Sequence, residues 1–432
     1  MVSVDDMQRL FSLAVESHVR VILCGDTGQH AAVTRGDALR ILEKYSRYSF
    51  AELTENWRQK LAPDYQKAVR KAAQKQSQKA FELLEKMGAV TETGSLYEQA
   101  ADAYIESLKN GKTALLISPT WSEINSLTQH VRSELKRQGL VGSVEDTVAA
   151  LDSLSWTAAE KKTLRNYAAG QVIVFHQKSG AHAAHESLMV VAVEKGALRV
   201  RRKDGREEVF RPCNSAAFDV CETREVAVAP GDKLLLQTRL KARGQEFVNG
   251  EIVQVKKIDR GEICLSDGRR LPRNYRMFTY GYAVTSHAAQ SRTVQDVFVV
   301  AGSPSLPAIH RRQFYVDVSR GKEHCRIFTD NKELLREKIG HPKERKAAIE
   351  LRGLEEALVK AGLIQPPRQD HSEPDETGAS RFRRMRGLTV ESLRPDRRLS
   401  QVVRHLHALA HQFRTRGHRE ISKGVGICSN EP

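Results

Sequence analysis

Two short uninterrupted apolar runs, VRVILC (residues 19–24) and TALLIS (residues 113–118), each break into a polar turn that opens a helical stretch. A continuous apolar run of that length fits a strand buried on both faces, as in parallel sheets whose crossovers are helices. This pattern constrains the chain most, because it selects an α/β architecture and places ligand contacts at the turns following the strands. The segment before the first run reads as a helix behind Ser3, with Val4, Met7, Leu10, Phe11, Ala14 and Val15 at helical spacing. After the second run, Thr120 and Glu123 have capping-box spacing, and Trp121, Ile124, Leu127, Val131 and Leu135 trace one helical face.

From about 141 to 275 the pattern changes. Short Val-rich runs (QVIVF, LMVVAV, ALRVRR, EIVQVKKI, EICLS), punctuated by PGD, VNGE and SDGRR, predict a β-rich insert. The α/β pattern resumes near 276 with TYGYAVTSHAAQSRT, DVFVVAG, FYVDVSRGKE and CRIFTD. Residues 60–110 are helical in composition, and a solvated face explains their basic stretch DYQKAVRKAAQKQSQKA on its own. Beyond 365, PPRQDHSEPDETGAS reads as a linker, and the tail 381–420, with eleven Arg against three acidic residues, suits phosphate contact.

Lys and Arg number 69 against 53 Asp and Glu, a net charge of +16 that makes nucleic acid the default polyanionic partner. No apolar run approaches the ~20 residues of a membrane span. The six cysteines show no zinc-site spacing, and the N-terminus lacks a signal-peptide pattern, so a reduced, cytoplasmic protein is expected. His405 and His407, two apart in a helix-like stretch, point in different directions, and no metal is assigned.

Four strings, in this order, resemble the later motifs of RecD-like superfamily 1 DNA helicases. GDTGQ (residues 25–29) is similar to the motif that senses the γ-phosphate, which implies nucleotide contacts from Gly25, Asp26 and Gln29. A Gln amide can donate to a phosphate oxygen and accept from attacking water. LTENWRQ (residues 53–59) resembles the motif opening the second motor domain, in which Arg58 reaches the transferring phosphoryl group. An Arg beside a Trp also forms a surface stacking pair.

GYAVTSHAAQSRT (residues 281–293) resembles the motif gripping DNA and nucleotide. It implies DNA contacts at Thr285, His287 and Thr293 and a nucleotide contact at Gln290; Ser291 stands where the family has Gly. FYVDVSRGKEHCRIFTD (residues 314–330) resembles the final motif, with Arg320 a second γ-phosphate contact. The loop Ser118, Pro119, Thr120 resembles a strand-end contact to single-stranded DNA, although capping explains Thr120 equally well. The run 230–258 resembles the SH3-like barrel of RecD-type helicases, and the spelling of several strings is nearest the helicase half of TrwC/TraI-type conjugative relaxases.

The resemblance implies an α/β fold: RecA-like parallel-sheet motor domains, the first incomplete, with an SH3-like β-barrel insert and a basic helical tail. The expected divisions are 1–59 (end of the first motor domain), 60–140 and 276–335 (the second), 141–275 (insert) and 336–432 (tail). ATP with Mg²⁺ and single-stranded DNA are the implied ligands. No P-loop GxxxxGK[ST] is present: the GKT at 111–113 has Glu106 where the first Gly belongs and precedes a strand. In the family the acidic magnesium motif would lie just before residue 1, so a downstream fragment is expected. ATPase inactivity alone is expected too, unless a separately encoded N-terminal half completes the site; that half and the conjugation machinery are the other expected partners. The alternatives are a non-catalytic DNA-binding remnant and a docking module of a transfer apparatus.

Overall fold

Along the strand Val294–Ala301, alternate side chains enter two different cores: Val297, Val299 and Ala301 face one, Phe298 and Val300 the other. The same alternation holds for Leu115 and Ile117 against Leu116, and for Ile327 against Phe328. It is the signature of strands covered on both faces, each buried Leu, Ile or Phe contributing about 1.5–3 kcal/mol.

These strands lie in a five-stranded, wholly parallel sheet in the computed structural model, ordered Val90–Glu92, Gly321–Thr329, Val294–Ala301, Ala114–Ile117, Ala283–Val284. The helices Pro63–Ala73, Ser77–Lys86 and Arg311–Val318 cover one face; Leu96–Lys109 and Trp121–Arg137 cover the other. The structure describes residues 2–362 except 32–35, 47–49, 54, 243, 260, 344–346, 348–349, 351–353 and 361. The expected linker, the Arg-rich tail and His405, His407 and His411 lie outside the described residues. Among the described residues no helix is long and apolar enough to cross a membrane.

The chain divides into two compact units, one of 1–25, 32–51 and 345–432, the other of 26–31 and 52–344. In the first, Ser3 caps the expected helix, Val4–Glu16, and the structure adds a capping box with Asp6. Arg40, on the helix Ala38–Tyr45, makes a two-pronged ion pair with Glu350, both bonds 2.7 Å. The expected strand at Val19–Cys24 is not formed: the segment has no regular structure, and Ile22 is 81% exposed. A strand needs a neighbour to take its N–H and C=O groups. Among the described residues of this unit there is no strand to supply one.

In the second unit the expected β-rich region forms two larger antiparallel sheets and one small pair, Leu240–Ala242 with Gln245–Phe247. One has six strands, ordered Asp146–Ser153, Phe218–Val228, Val172–Phe175, Ser187–Glu194, Ala197–Arg201, Glu207–Phe210. The other has five: Arg270–Leu271, Glu262–Leu265, Ile252–Asp259, Lys233–Leu236, Phe278–Tyr280. Return to the parallel sheet therefore occurs at Ala283, a little later than 276.

A buried ionic joint ties this region to the parallel sheet. Asp232, fully buried before the strand Lys233–Leu236, accepts from Arg132 Nε and Nη2 (both 2.8 Å), Tyr282 Oη (2.6 Å) and the Ala229 N–H (2.7 Å). Arg132 comes from the helix Trp121–Arg137 and Tyr282 directly precedes the strand Ala283–Val284, so one carboxylate binds three elements. Gly231 beside it has φ +92°, and an added Cβ would lie 2.5 Å from the Leu140 carbonyl oxygen.

Candidate functional site

The turn between the helix Arg311–Val318 and the strand Gly321–Thr329 is held from outside by the segment after Asn56. Arg58 Nη1 donates to the Ser319 carbonyl at 2.5 Å. Gln59, fully buried, donates to the Ser319 carbonyl at 3.4 Å and also to that of Gly321. Tyr65 Oη donates to the Val318 carbonyl. Gly321 allows this approach, since a Cβ there would sit 2.5 Å from the His324 carbonyl oxygen and 2.8 Å from Tyr65 Oη.

Fixed in this way, Arg320 turns its side chain inward and is 1% exposed. Its donors go to neutral acceptors: Nε to the Val316 carbonyl (2.8 Å), Nη2 to Ser319 Oγ (2.7 Å) and Nη1 to the Arg292 carbonyl (3.4 Å). Among the described residues no carboxylate stands within ion-pair distance of it. Burial, and next the neighbouring Arg58 charge, lower its pKa, with Asp317, Tyr315 and Tyr65 opposing.

The turn holding Gln29 arrives from the other side. The Asp26 carboxylate accepts from the Gly28 N–H (2.8 Å), Gln29 Nε2 (2.9 Å) and Tyr315 Oη (2.9 Å). Gln290 Nε2 donates to Gln29 Oε1 at 3.3 Å. Burial, then Asp26, raise the Tyr315 pKa, while Arg320 and Arg58 act to lower it, so the tyrosine lies within electrostatic reach of all three. Gln29, Arg58 and Arg320 are thus gathered around the end of one helix.

Behind them sit groups whose neutral forms burial favours. His30 is buried, its Nε2 2.7 Å from Ser286 Oγ, its ring stacked on His287 at 3.9 Å with His310 edge-on at 6.2 Å. Burial first, and then His287, His310, Arg312 and Arg320, push its pKa down to about 3. His310 is pushed down to about 4, mainly by burial and then by Lys343, Arg312 and His287. Burial pushes the Asp317 carboxyl up to about 7, against the Ser286 hydrogen bond and the Arg320 charge. The buried Arg320 and half-buried Arg58, charged among groups whose charged forms burial disfavours, make a site complementary to an anion.

The other motif residues are dispersed. Ser118, Pro119, Thr120 and Thr285 lie at the carboxyl ends of adjacent parallel strands, where the Ser118 N–H donates to the Val284 carbonyl at 3.1 Å. Ser118 is fully buried and its hydroxyl donates to Glu123 at 2.6 Å. Thr120 caps its helix through the Glu123 N–H, but the Glu123 carboxylate turns to Ser118 and the Gly302 N–H (2.6 Å), so the capping box is only half made. Thr285 caps the short helix Ser286–Ala289, His287 is exposed on that helix, and Thr293 is exposed before the strand Val294–Ala301. Gly25 belongs to the first unit, where a Cβ would meet Leu39 Cδ2 at 2.5 Å. His30, Ser286, Tyr315 and Asp317 were not singled out from sequence. All lie inside the motif strings or directly beside one, but nothing local sets them apart from packing residues.

Ser291 adopts φ +73°, the left-handed region in which a glycine is normally found. Relief of roughly 1–2 kcal/mol of backbone cost, less roughly 0.5–1 kcal/mol for the freer unfolded glycine, favours glycine. Ser291→Gly is therefore expected to stabilise the chain by about 0.5–1 kcal/mol, read as a higher urea midpoint. A lower midpoint would show that the serine side chain holds the turn.

A family model described as an AAA domain matches residues 1–95. The chain is similar to the multifunctional conjugation protein TraI of Escherichia coli, 22% identical over 385 residues, covering 77% of this chain and 22% of that protein. TraI of E. coli strain K12 is likewise 22% identical, over 398 residues with the same coverage. The chain thus spans 22% of the length of these curated relatives. Among solved structures, a Bacteroides Pif1 helicase in complex with ADP-AlF3 and ssDNA is 14% identical, over 84% of this chain and 74% of that one, with a TM-score of 0.32. A Candida albicans Pif1 helicase is 10% identical over 65% and 56%, with a TM-score of 0.26.

Proposed function

From a chain similar to superfamily 1, RecD-like helicases of the TraI type, we propose a second-motor-domain role: binding single-stranded DNA and contacting the γ-phosphate of ATP. The observation that carries this is the buried Arg320 guanidinium, beside Arg58 and Gln29, with no carboxylate partner among the described residues. ATP would supply the phosphoryl group. Arg58 and Arg320 would bind its terminal oxygens, and Gln29 would orient water once its amide leaves Asp26 and Gln290.

The donor set fits the phosphate end of a nucleotide and does not fit its metal. Asp26 already accepts three hydrogen bonds, and Asp317 is held toward its neutral form. Among the described residues the one His and carboxylate cluster, Asp296, Glu323 and His324, is bridged by the Lys112 ammonium. A P-loop and magnesium ligands supplied by another polypeptide segment would complete the site, and 5′ to 3′ unwinding would then follow the family pattern. Ser118–Thr120, Thr285, His287 and Thr293 are the proposed DNA side, the five-stranded antiparallel sheet the proposed SH3-like barrel, and the cytoplasm the proposed compartment.

Fluorescence anisotropy with a single-stranded oligonucleotide tests the DNA half. The logarithm of affinity should fall with log salt by about 0.7 per phosphate neutralised, summing to a slope of several units. A flat response would favour a protein-docking module instead. The chain alone should release no phosphate from ATP, with or without DNA. DNA-stimulated release abolished by Arg320→Ala would replace this reading with that of a self-contained ATPase.

A further inference from the structure

The helix Ser77–Lys86 begins without a side-chain cap, because Gln76 at the capping position makes no such bond. Helix geometry leaves the N–H groups of Ser77, Gln78 and Lys79 without intrahelical acceptors and places partial positive charge there. Ser77 is 2% exposed, yet its Oγ has no hydrogen-bond partner among the described residues. The neighbouring Gln76 Oε1 is likewise enclosed and unpartnered. Both residues line a cleft of about 420 Å³, with Lys75, Gln78 and Lys79 on the same wall and Glu337, Gly340, His341 and Pro342 opposite.

A buried hydroxyl without a partner costs about 1–3 kcal/mol, and native chains keep such a group where a ligand, ion or water satisfies it. The cleft is far roomier than one water needs. Its lining is rich in donors: backbone N–H groups, a hydroxyl and the Lys79 ammonium. Among the described lining residues the one carboxylate, Glu337, is already paired with Lys338 Nζ at 3.1 Å. The unpartnered acceptor Gln76 Oε1 calls for a ligand that also carries an O–H.

We propose that this cleft binds a phosphate monoester or inorganic phosphate, seated on the N-terminus of the helix Ser77–Lys86 and held by Ser77 and Lys79. Tetrahedral oxygens match the convergent N–H groups, and a protonated oxygen meets Gln76. The site uses the end of the basic stretch DYQKAVRKAAQKQSQKA that a solvated face otherwise explains. It shares no residue with the Arg320 cluster, so it stands or falls independently of the nucleotide reading.

The experiment titrates the full chain with inorganic phosphate, followed by ³¹P line broadening and by thermal midpoint. Saturable binding is expected, weakened about tenfold or more in Ser77→Ala and in Lys79→Gln, since a hydrogen bond to a charged group is worth about 1.5–3 kcal/mol. Without phosphate, Ser77→Ala should melt no lower than the native chain, because it removes only an unpartnered hydroxyl. Oligonucleotides of one sequence with 5′-phosphate or 5′-hydroxyl ends separate the sources. Displacement by the phosphorylated strand alone assigns the site to a nucleic-acid end; displacement by neither assigns it to the free ion. No saturable binding, or binding unchanged in both variants, overturns the proposal.

Discussion

Asp232→Asn is expected to lower the unfolding free energy by about 3–5 kcal/mol, the usual result of breaking a buried ion pair from one side. The side chain is nearly the same shape, so packing is spared, while Arg132 loses its two-pronged partner and keeps Glu145 at 2.5 Å on the more exposed side. Arg132 also stacks over the Tyr280 ring at 4.8 Å, so its displacement would loosen the strand Phe278–Tyr280 as well. Urea unfolding of the variant provides the measurement. The joint replacement Arg132→Met with Asp232→Leu should cost much less than Asp232→Asn, because no unpaired charge stays buried. Equal losses in the two variants would show that the site acts through packing alone.

The second large effect is one of pH. The Asp317 carboxyl, raised by burial to about 7 from an ordinary 3.8, keeps a proton in the folded chain that the unfolded chain gives up. Its stabilising contribution is therefore complete below about pH 4 and lost as pH rises through about 7, some three units or about 4 kcal/mol in all. An amide in its place carries no such proton, so the stability of Asp317→Asn relative to the native chain should improve by about 4 kcal/mol between pH 4 and 8. His30 and His310, depressed to about 3 and about 4, act in the opposite sense, gaining stability as pH rises, and cancel because both proteins contain them. A difference that stays flat with pH would mean that Asp317 is ionised throughout and paired with Arg320. As it stands, Asp317 leaves the Arg320 charge largely available at neutral pH and below, as an anion-binding role requires.

The parts legible in the sequence are those set by neighbours along the chain. Ser3 caps its helix, TALLIS forms a strand, and Ile124, Leu127, Val131 and Leu135 face a core, whereas Trp121 on the first turn of that helix is exposed. Partners distant in sequence were not legible. Val19–Cys24 has the composition of a buried strand, but burial depends on neighbours that the segment does not specify. Glu123 has the spacing to cap Thr120, yet Ser118 and Gly302 compete for its carboxylate, the latter 179 positions away. Gln29 and Gln290 meet across 261 positions. Only the resemblance in motif order anticipated that meeting, because each turn alone reads as ordinary polar loop. Ser77 gave no signal at all, since an unpartnered hydroxyl is a property of its surroundings.

The strands Asp146–Ser153 and Phe218–Val228 pair along eight residues, and only the far end of the second is joined by another strand, Val172–Phe175. Along its inner length that ribbon packs on the five-stranded sheet: Ala150, Val226 and Val228 share a core with Leu234, Leu236 and Phe278, and the Leu151 N–H donates to the Arg276 carbonyl at 2.8 Å. The outer four strands, with their own aromatic core around Phe175, Phe210 and Phe218, hang from it. Ribbons of two strands twist more readily than wide sheets. In this ribbon the twist is set by the sheet beneath it, where the Arg224 guanidinium donates to the Phe278 carbonyl and Tyr280 Oη to the Ala227 carbonyl, so the outer four strands are carried as an extension of that sheet.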